Sequence, residues 1–233
     1  MFPRYLVCFL VMITPAVLVC GCTKHTDQTD EQISIAREDA ECIVVIAIDL
    51  SGSFADLMTR DGKAYDFTCR VLDKYFRNSV GTNNRVIIAQ LSATNRALLF
   101  DGTPMQLRQR FPTAAEFREF LLSKSDPRGS RIHDGIVDAI EYALSDASVA
   151  SGKTRMALFA LSDFDDNAFE PQQSQRRLAD QLKALGRANC VVGFYFLEHF
   201  RVPAWRQAFR ESGVRHWVCE SEIVAYPTLP SFD

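Results

Sequence analysis

The sequence has no clustered basic face, no Cys-x-x-Cys spacing, no internal repeat and no second apolar core. Each absence removes a class of protein. Without a basic cluster, and with a formal net charge of -3, a nucleic-acid partner is not expected. Without close cysteine pairs a structural zinc site is not expected either. The polar loops hold no nucleophile set beside an activating base, so hydrolysis lacks its usual machinery. One core and no repeat make 233 residues, 47% hydrophobic and 24% charged, read as one main domain.

What is present is an abrupt junction. Residues 43–48 are an unbroken apolar run, which suits a strand buried on both faces, as in a parallel sheet covered by helices. The run ends in Asp49-Leu50-Ser51-Gly52-Ser53. A carboxylate and two hydroxyls just past the carboxyl end of such a strand lie where open α/β sheets bind ligands. Gly52 lets the backbone turn so that the hydroxyls on either side converge. Hard oxygen donors of this kind suit Mg²⁺, Mn²⁺ or Ca²⁺.

Upstream, Arg4 precedes an apolar stretch at 5–19, too short to span a bilayer comfortably, and then Gly21-Cys22. This resembles a bacterial lipoprotein signal. The resemblance implies a signal peptide at 1–21, acylation of Cys22 and lipid anchoring in the bacterial cell envelope. Residues 22–40 are polar and read as a tether lifting the domain off the membrane. Cys42, Cys69, Cys190 and Cys219 then remain for an oxidising compartment. Their even number permits two disulfides of unassigned pairing, or free buried thiols.

Downstream, helix and strand patterns alternate. Phe67, Val71, Leu72, Tyr75 and Phe76 predict a helix over 55–78. Strands are expected over 86–91 and 97–100, closed by an Asp101-Gly102 turn. Thr113 and Glu116 form a capping-box signature for a helix through Leu122. Ile132, Ile136, Ile140 and Leu144 make a further helical stripe, and the buried strand at 156–161 ends in Ser162-Asp163-Phe164-Asp165-Asp166-Asn167. Pro171 and Gly186 bracket a helix, 191–196 is a central strand, Pro203 and Gly213 bound a short helix, and 214–219 is an edge strand before an irregular tail at 220–233. Such alternation implies right-handed crossovers and a doubly wound, mostly parallel open α/β sheet with helices on both faces.

Three segments thus bring oxygen-bearing side chains to one end of the sheet: Asp49, Ser51 and Ser53; Ser130 in Arg128-Gly129-Ser130-Arg131; and Asp163. In this order and spacing they resemble the metal-ion-dependent adhesion site of the von Willebrand factor type A (VWA) family, over residues 41–219. In that family the two serines bind a divalent cation directly, a threonine from a second loop adds a hydroxyl, and aspartates act directly or through water. The resemblance therefore implies that Asp49, Ser51, Ser53, Ser130 and Asp163 hold Mg²⁺, or Mn²⁺ or Ca²⁺. Two positions depart from the pattern. Ser130 keeps the threonine's hydroxyl without the methyl that restricts its rotamer. Phe164 stands where the family commonly has glycine, so a third loop of different shape is expected.

A hydroxyl-rich shell leaves the cation's charge partly uncompensated and open to an Asp or Glu from a protein partner. Arg128 and Arg131 flank Ser130 as candidate partner contacts, since a guanidinium fork grips a carboxylate in two parallel hydrogen bonds. The expected function is a surface-tethered, cation-dependent adhesion or assembly module and not an enzyme. One alternative is a metal-independent structural component of an envelope assembly. Another is a Mg²⁺-dependent hydrolase of the haloacid dehalogenase type, which expects a second carboxylate two residues after the first, where Ser51 stands. His133 reads as a packing or solvent-facing residue, and Asp165 and Asp166 as solvated loop carboxylates.

Overall fold

The computed structural model describes residues 40–77, 83–91, 98–126, 131–166 and 168–232. Six strands form one sheet: β1 (Cys42–Ile48), β2 (Arg85–Gln90), β3 (Leu98–Gly102), β4 (Arg155–Leu161), β5 (Val191–Leu197) and β6 (His216–Ser221). Their order is β3-β2-β1-β4-β5-β6. Neighbours pair in parallel throughout, except for the antiparallel β2–β3 pair. The helices among the described residues are α1 (Gly52–Ala55), α2 (Lys63–Phe76), α3 (Pro104–Arg110), α4 (Ala114–Leu122), α5 (Ile132–Leu144), α6 (Ala147–Ala150), α7 (Pro171–Arg187) and α8 (Val202–Ser212). The architecture is the doubly wound α/β sheet expected from the alternation.

β1 lacks polar alternation because both of its faces are covered. Ile43, Val45 and Ala47 enter a core layer with Ile136 and Ile140 of α5, Leu178 and Leu182 of α7, and Trp205 of α8. Val44, Ile46 and Ile48 enter the opposite layer with Phe67 and Val71 of α2 and Phe117 of α4. Each Val or Ile so buried contributes about 1.5–3 kcal/mol. The strand that carries the junction is thereby held between two packed layers.

Several local expectations need correction. The helix over 55–78 is divided into α1, a 3₁₀ turn at Asp56–Met58, and α2. The chain doubles back tightly between them: a Cβ on Gly62 would lie 2.2 Å from the Leu57 carbonyl oxygen, so only glycine fits. Asp101 and Gly102 belong to β3 and not to a turn, and the Asp101 carboxylate pairs with the buried Arg85 guanidinium on β2. Helix α3 was not expected, although Thr103 and Gln106 cap it with a reciprocal box. The box at Thr113 and Glu116 forms on α4 as expected. Gly186 lies inside the last turn of α7, and the edge strand begins two residues later than 214–219 implies.

The tail after β6 is irregular but held. Arg70 and Lys74 of α2 and Tyr195 of β5 donate to the Pro227, Leu229 and Thr228 carbonyls at 3.1, 2.9 and 2.7 Å. The cysteines at 42, 69, 190 and 219 are all free. Cys42 and Cys69 pack with one core layer, Cys190 and Cys219 in the other. Cys219 pairs with Phe194, four residues from Cys190, or about 13 Å along the strands. A disulfide requires Cα atoms within about 7 Å.

Candidate functional site

The site grows from the carboxyl ends of β1 and β4. Asp49 N donates to Leu161 O at 2.8 Å, carrying the strand pairing one residue past β1. The Asp49 side chain turns inward and is fully buried. Its Oδ1 accepts from Ser51 N at 2.8 Å, and its Oδ2 accepts from Ser162 Oγ at 2.9 Å. The Leu50 carbonyl accepts from Asp126 N and Ser125 Oγ at 3.1 and 2.7 Å, tying the turn to the chain leaving α4.

With the turn held, the hydroxyls line up. Ser51 Oγ lies 3.3 Å from Ser53 Oγ, and Ser53 Oγ donates to Asp163 Oδ2 at 3.2 Å. Asp163 is oriented in turn: its Oδ1 accepts from Asp165 N at 2.9 Å and its carbonyl from Glu198 N at 3.2 Å. The constellation opens toward solvent at Ser53 and Asp163, over a floor of buried Ser51 and Asp49. Burial pushes the Asp49 carboxyl above its ordinary value; hydrogen bonds from Ser51 and Ser162 oppose this, and the nearby Asp163 charge adds to it.

The structure therefore brings together Asp49, Ser51, Ser53 and Asp163. Ser130, Arg128 and Cys22 lie outside the described residues. Arg131 stands at the start of α5, and its guanidinium donates to Asp134 Oδ2 at 2.6 Å while Arg177 of α7 reaches Oδ1 at 3.2 Å. The Arg131 side chain remains 63% exposed. Gly135 sets this helix: a Cβ there would lie 2.9 Å from the Leu91 carbonyl oxygen, so α5 presses directly on the end of β2.

Three residues of the third loop carry more than the sequence reading assigned them. Phe164 has φ of 61°, the left-handed region glycine favours, and its side chain is fully buried. Its ring packs 4.8 Å from Phe194, 5.5 Å from Trp205 and 6.5 Å from His133. Asp166 is not a solvated loop carboxylate. Its side chain is 3% exposed and lies 2.7 Å from His133 Nδ1. Asp165 is exposed, as expected, and pairs with Arg201 at 2.8 Å. Ser162 binds both Asp49 and Phe164 N, and its one sequence signal is a hydroxyl directly before Asp163 at a strand end.

Ligands at right angles around an ion lie about 1.4 bond lengths apart, roughly 3.0 Å for Mg²⁺ and roughly 3.3–3.6 Å for Ca²⁺. The Ser51–Ser53 separation of 3.3 Å meets the lower Ca²⁺ value, and the Ser53–Asp163 separation of 3.2 Å lies between the Mg²⁺ and Ca²⁺ values. Among the described residues no three His, Cys, Asp or Glu side chains gather to hold a metal, so a cation here depends on the serine hydroxyls.

No family model matches the chain, and no curated protein does. Solved structures do. The SpRpn10 VWA domain matches with a TM-score of 0.53 and 14% identity over 76% of this chain and 86% of that one. The chain has the VWA fold. The N-terminal domain of TFIIH p34 matches with a TM-score of 0.50 and 15% identity, over 77% of this chain and 90% of that one. The pilus adhesin SpaC from Lactobacillus rhamnosus GG matches with a TM-score of 0.51 and 11% identity, over 78% of this chain and 28% of the adhesin. At such identities the likeness is one of fold, and the VWA fold puts the ends of β1 and β4 side by side.

Proposed function

We propose that this chain is a divalent-cation-dependent protein-binding module of the VWA type, tethered to a bacterial cell envelope through an acylated Cys22. The observation that carries the cation reading is the oxygen chain Ser51–Ser53–Asp163 above the buried Asp49 carboxylate. Ser51, Ser53 and Asp163 present the oxygens, with Ser130 added by the family resemblance. Asp49 places negative charge beneath the hydroxyls and fixes the turn that carries them. When bound, Mg²⁺, Mn²⁺ or Ca²⁺ supplies an electrophilic position that a partner's Asp or Glu completes. Arg131, exposed at the start of α5, and Arg128, three residues before it in sequence, are assigned to further partner contact. Adhesion and assembly are the roles that suit such chemistry, and one structural neighbour is a pilus adhesin.

A metal-independent structural role is the second reading. In that reading the Ser53–Asp163 hydrogen bond itself ties the first and third loops together. Calorimetry of the full chain in detergent decides between them. A ligand bound only by the native state, at about 100 times its dissociation constant, adds about 2.7 kcal/mol, or roughly 5–10 °C for a chain of this size. Asp163→Ala should abolish that shift. Identical melts in EDTA and in saturating Mg²⁺, Mn²⁺ and Ca²⁺ would leave only the structural role. The anchor is tested separately: Cys22→Ser should block lipid labelling, and an unmodified mature form found by mass spectrometry would remove it.

A further inference from the structure

Residues 227–232 lie beyond β6, outside any helix or strand, yet they are gripped position by position. Pro227 is buried, Leu229, Pro230 and Phe232 are half-buried, and Thr228 and Ser231 are exposed. Four consecutive carbonyls, from Pro227 to Pro230, accept from side chains of α2 and β5. Arg70 donates to Pro227 O at 3.1 Å, Tyr195 Oη to Thr228 O at 2.7 Å, Lys74 Nζ to Leu229 O at 2.9 Å and Tyr75 Oη to Pro230 O at 2.7 Å. Glu220 of β6 adds a side-chain reading: it accepts from Thr228 Oγ1 at 2.6 Å and from Thr228 N at 3.1 Å.

Beneath the tail lies an aromatic floor. Tyr75 packs 5.5 Å from Phe159 of β4, Phe159 packs 6.2 Å from Tyr195, and the Phe232 ring meets Tyr75 edge-on at 5.5 Å. Burial raises the Tyr75 and Tyr195 phenols above their ordinary value, so both remain donors at neutral pH. The segment they hold is Pro227-Thr228-Leu229-Pro230. Each proline fixes its own φ near −65° and drives the residue before it, Tyr226 or Leu229, to extended backbone. A Pro-x-x-Pro segment therefore has little conformational entropy to lose and leaves its carbonyls unbonded internally. Aromatic grooves are the surfaces that recognise such segments.

We propose that this groove between α2 and β5 is a recognition site for an extended Pro-Ser/Thr-apolar-Pro segment of a protein partner, and that the chain's own tail is its resident competitor. The seated tail shows which chemistry fits. None of the contacts is private to it: prolines and carbonyls belong to any such segment, and either hydroxyl residue serves Glu220. A second copy of this chain is the poorer occupant, because its tail binds no better than the one already attached. Attachment through a short connection gives the resident tail an effective concentration of about a millimolar. A foreign segment displaces it by binding more tightly than the tail does. The site lies apart from the cation reading and does not rest on it.

The test is fluorescence anisotropy with a labelled peptide of residues 225–232, on the full chain and on full-chain Leu229→Ser/Phe232→Ser, which frees the groove. The freed variant should bind about tenfold more tightly than wild type or better. Peptides carrying Thr228→Val or Pro227→Ala/Pro230→Ala should each lose about tenfold. Display selection of unrelated segments on the freed variant should enrich Pro-Ser/Thr-apolar-Pro. Wild type carrying Phe232→4-fluorophenylalanine gives a readout independent of that variant's folding: excess peptide should move the fluorine signal to its solvent-exposed position. A signal unmoved by about millimolar peptide, or equal affinity for the peptide without prolines, overturns the site and leaves the tail as a fixed closure of the sheet. A concentration-dependent wild-type dimer that Leu229→Ser/Phe232→Ser abolishes overturns the foreign partner in favour of tail exchange between copies.

Discussion

Ser162 Oγ donates to Asp49 Oδ2 at 2.9 Å, joining the ends of β4 and β1 beneath the Ser51, Ser53 and Asp163 oxygens. The same hydroxyl accepts from Phe164 N at 2.8 Å. One buried side chain thus orients the first-loop carboxylate and the third-loop backbone together. Groups that hold metal ligands in place typically alter affinity by 10–100-fold when removed, and an unsatisfied buried partner costs about 1–3 kcal/mol. Ser162→Ala is expected to weaken Mg²⁺ binding by about tenfold in isothermal titration, while Ser162→Thr retains most of it. Unchanged Mg²⁺ affinity in the alanine variant would reduce Ser162 to a packing role.

Asp49 carries a sign that separates binding from stability. Its ordinary value is near 3.8, and burial raises it in the native state. The native state therefore holds the proton more tightly than the unfolded chain does. The cation-free fold accordingly loses stability as pH climbs from the unfolded value through the native one. Above that window the ionised carboxylate is a cost that asparagine does not carry. Asp49→Asn should melt at or above wild type in EDTA at about pH 7, and should lose the cation-induced shift. An EDTA melt clearly below wild type at neutral pH would reverse this sign.

Phe164 sets two magnitudes against each other. A left-handed backbone on a non-glycine residue costs about 1–2 kcal/mol, which glycine would relieve. Emptying a site filled by a fully buried phenylalanine costs about 3–5 kcal/mol. Packing wins, so Phe164→Gly is expected to destabilise by about 2–3 kcal/mol in urea unfolding. A stabilised variant would show that backbone strain outweighs the contacts with Phe194 and Trp205.

The thiols give a further check. Burial pushes Cys42, Cys190 and Cys219 up to about 12 each, so all three are protonated and unreactive at neutral pH. Cys69 is raised as well but is only partly buried. Mass-tag labelling of the native chain, read by peptide mapping, should modify Cys69 first among these four and all four in denaturant. Peptides linked through any two of them under non-reducing conditions would overturn the free-thiol assignment.

The parts legible in the sequence are those whose cause is local or repeats along an element. Burial of both faces of β1 forces apolar residues at every position from 43 to 48, and a capping box needs only Thr113 and Glu116 three residues apart. The alternation of such signals was enough for the sheet class, and Asp49, Ser51 and Ser53 announce a site because they end a buried strand. Asp166 reads as a solvated carboxylate because nothing nearby in sequence reveals that α5 brings His133 to within 2.7 Å. Ser162 gains its meaning across 113 residues from Asp49, and the break at Gly62 follows from a close approach to the Leu57 carbonyl. Phe164 takes a glycine-like backbone because the aromatic pocket between Phe194 and Trp205 holds its ring. Short-range patterns name the elements and the strand end at which chemistry sits. Which side chains meet there follows from the order of strands and the packing of helices on them, both set by contacts far apart in the chain.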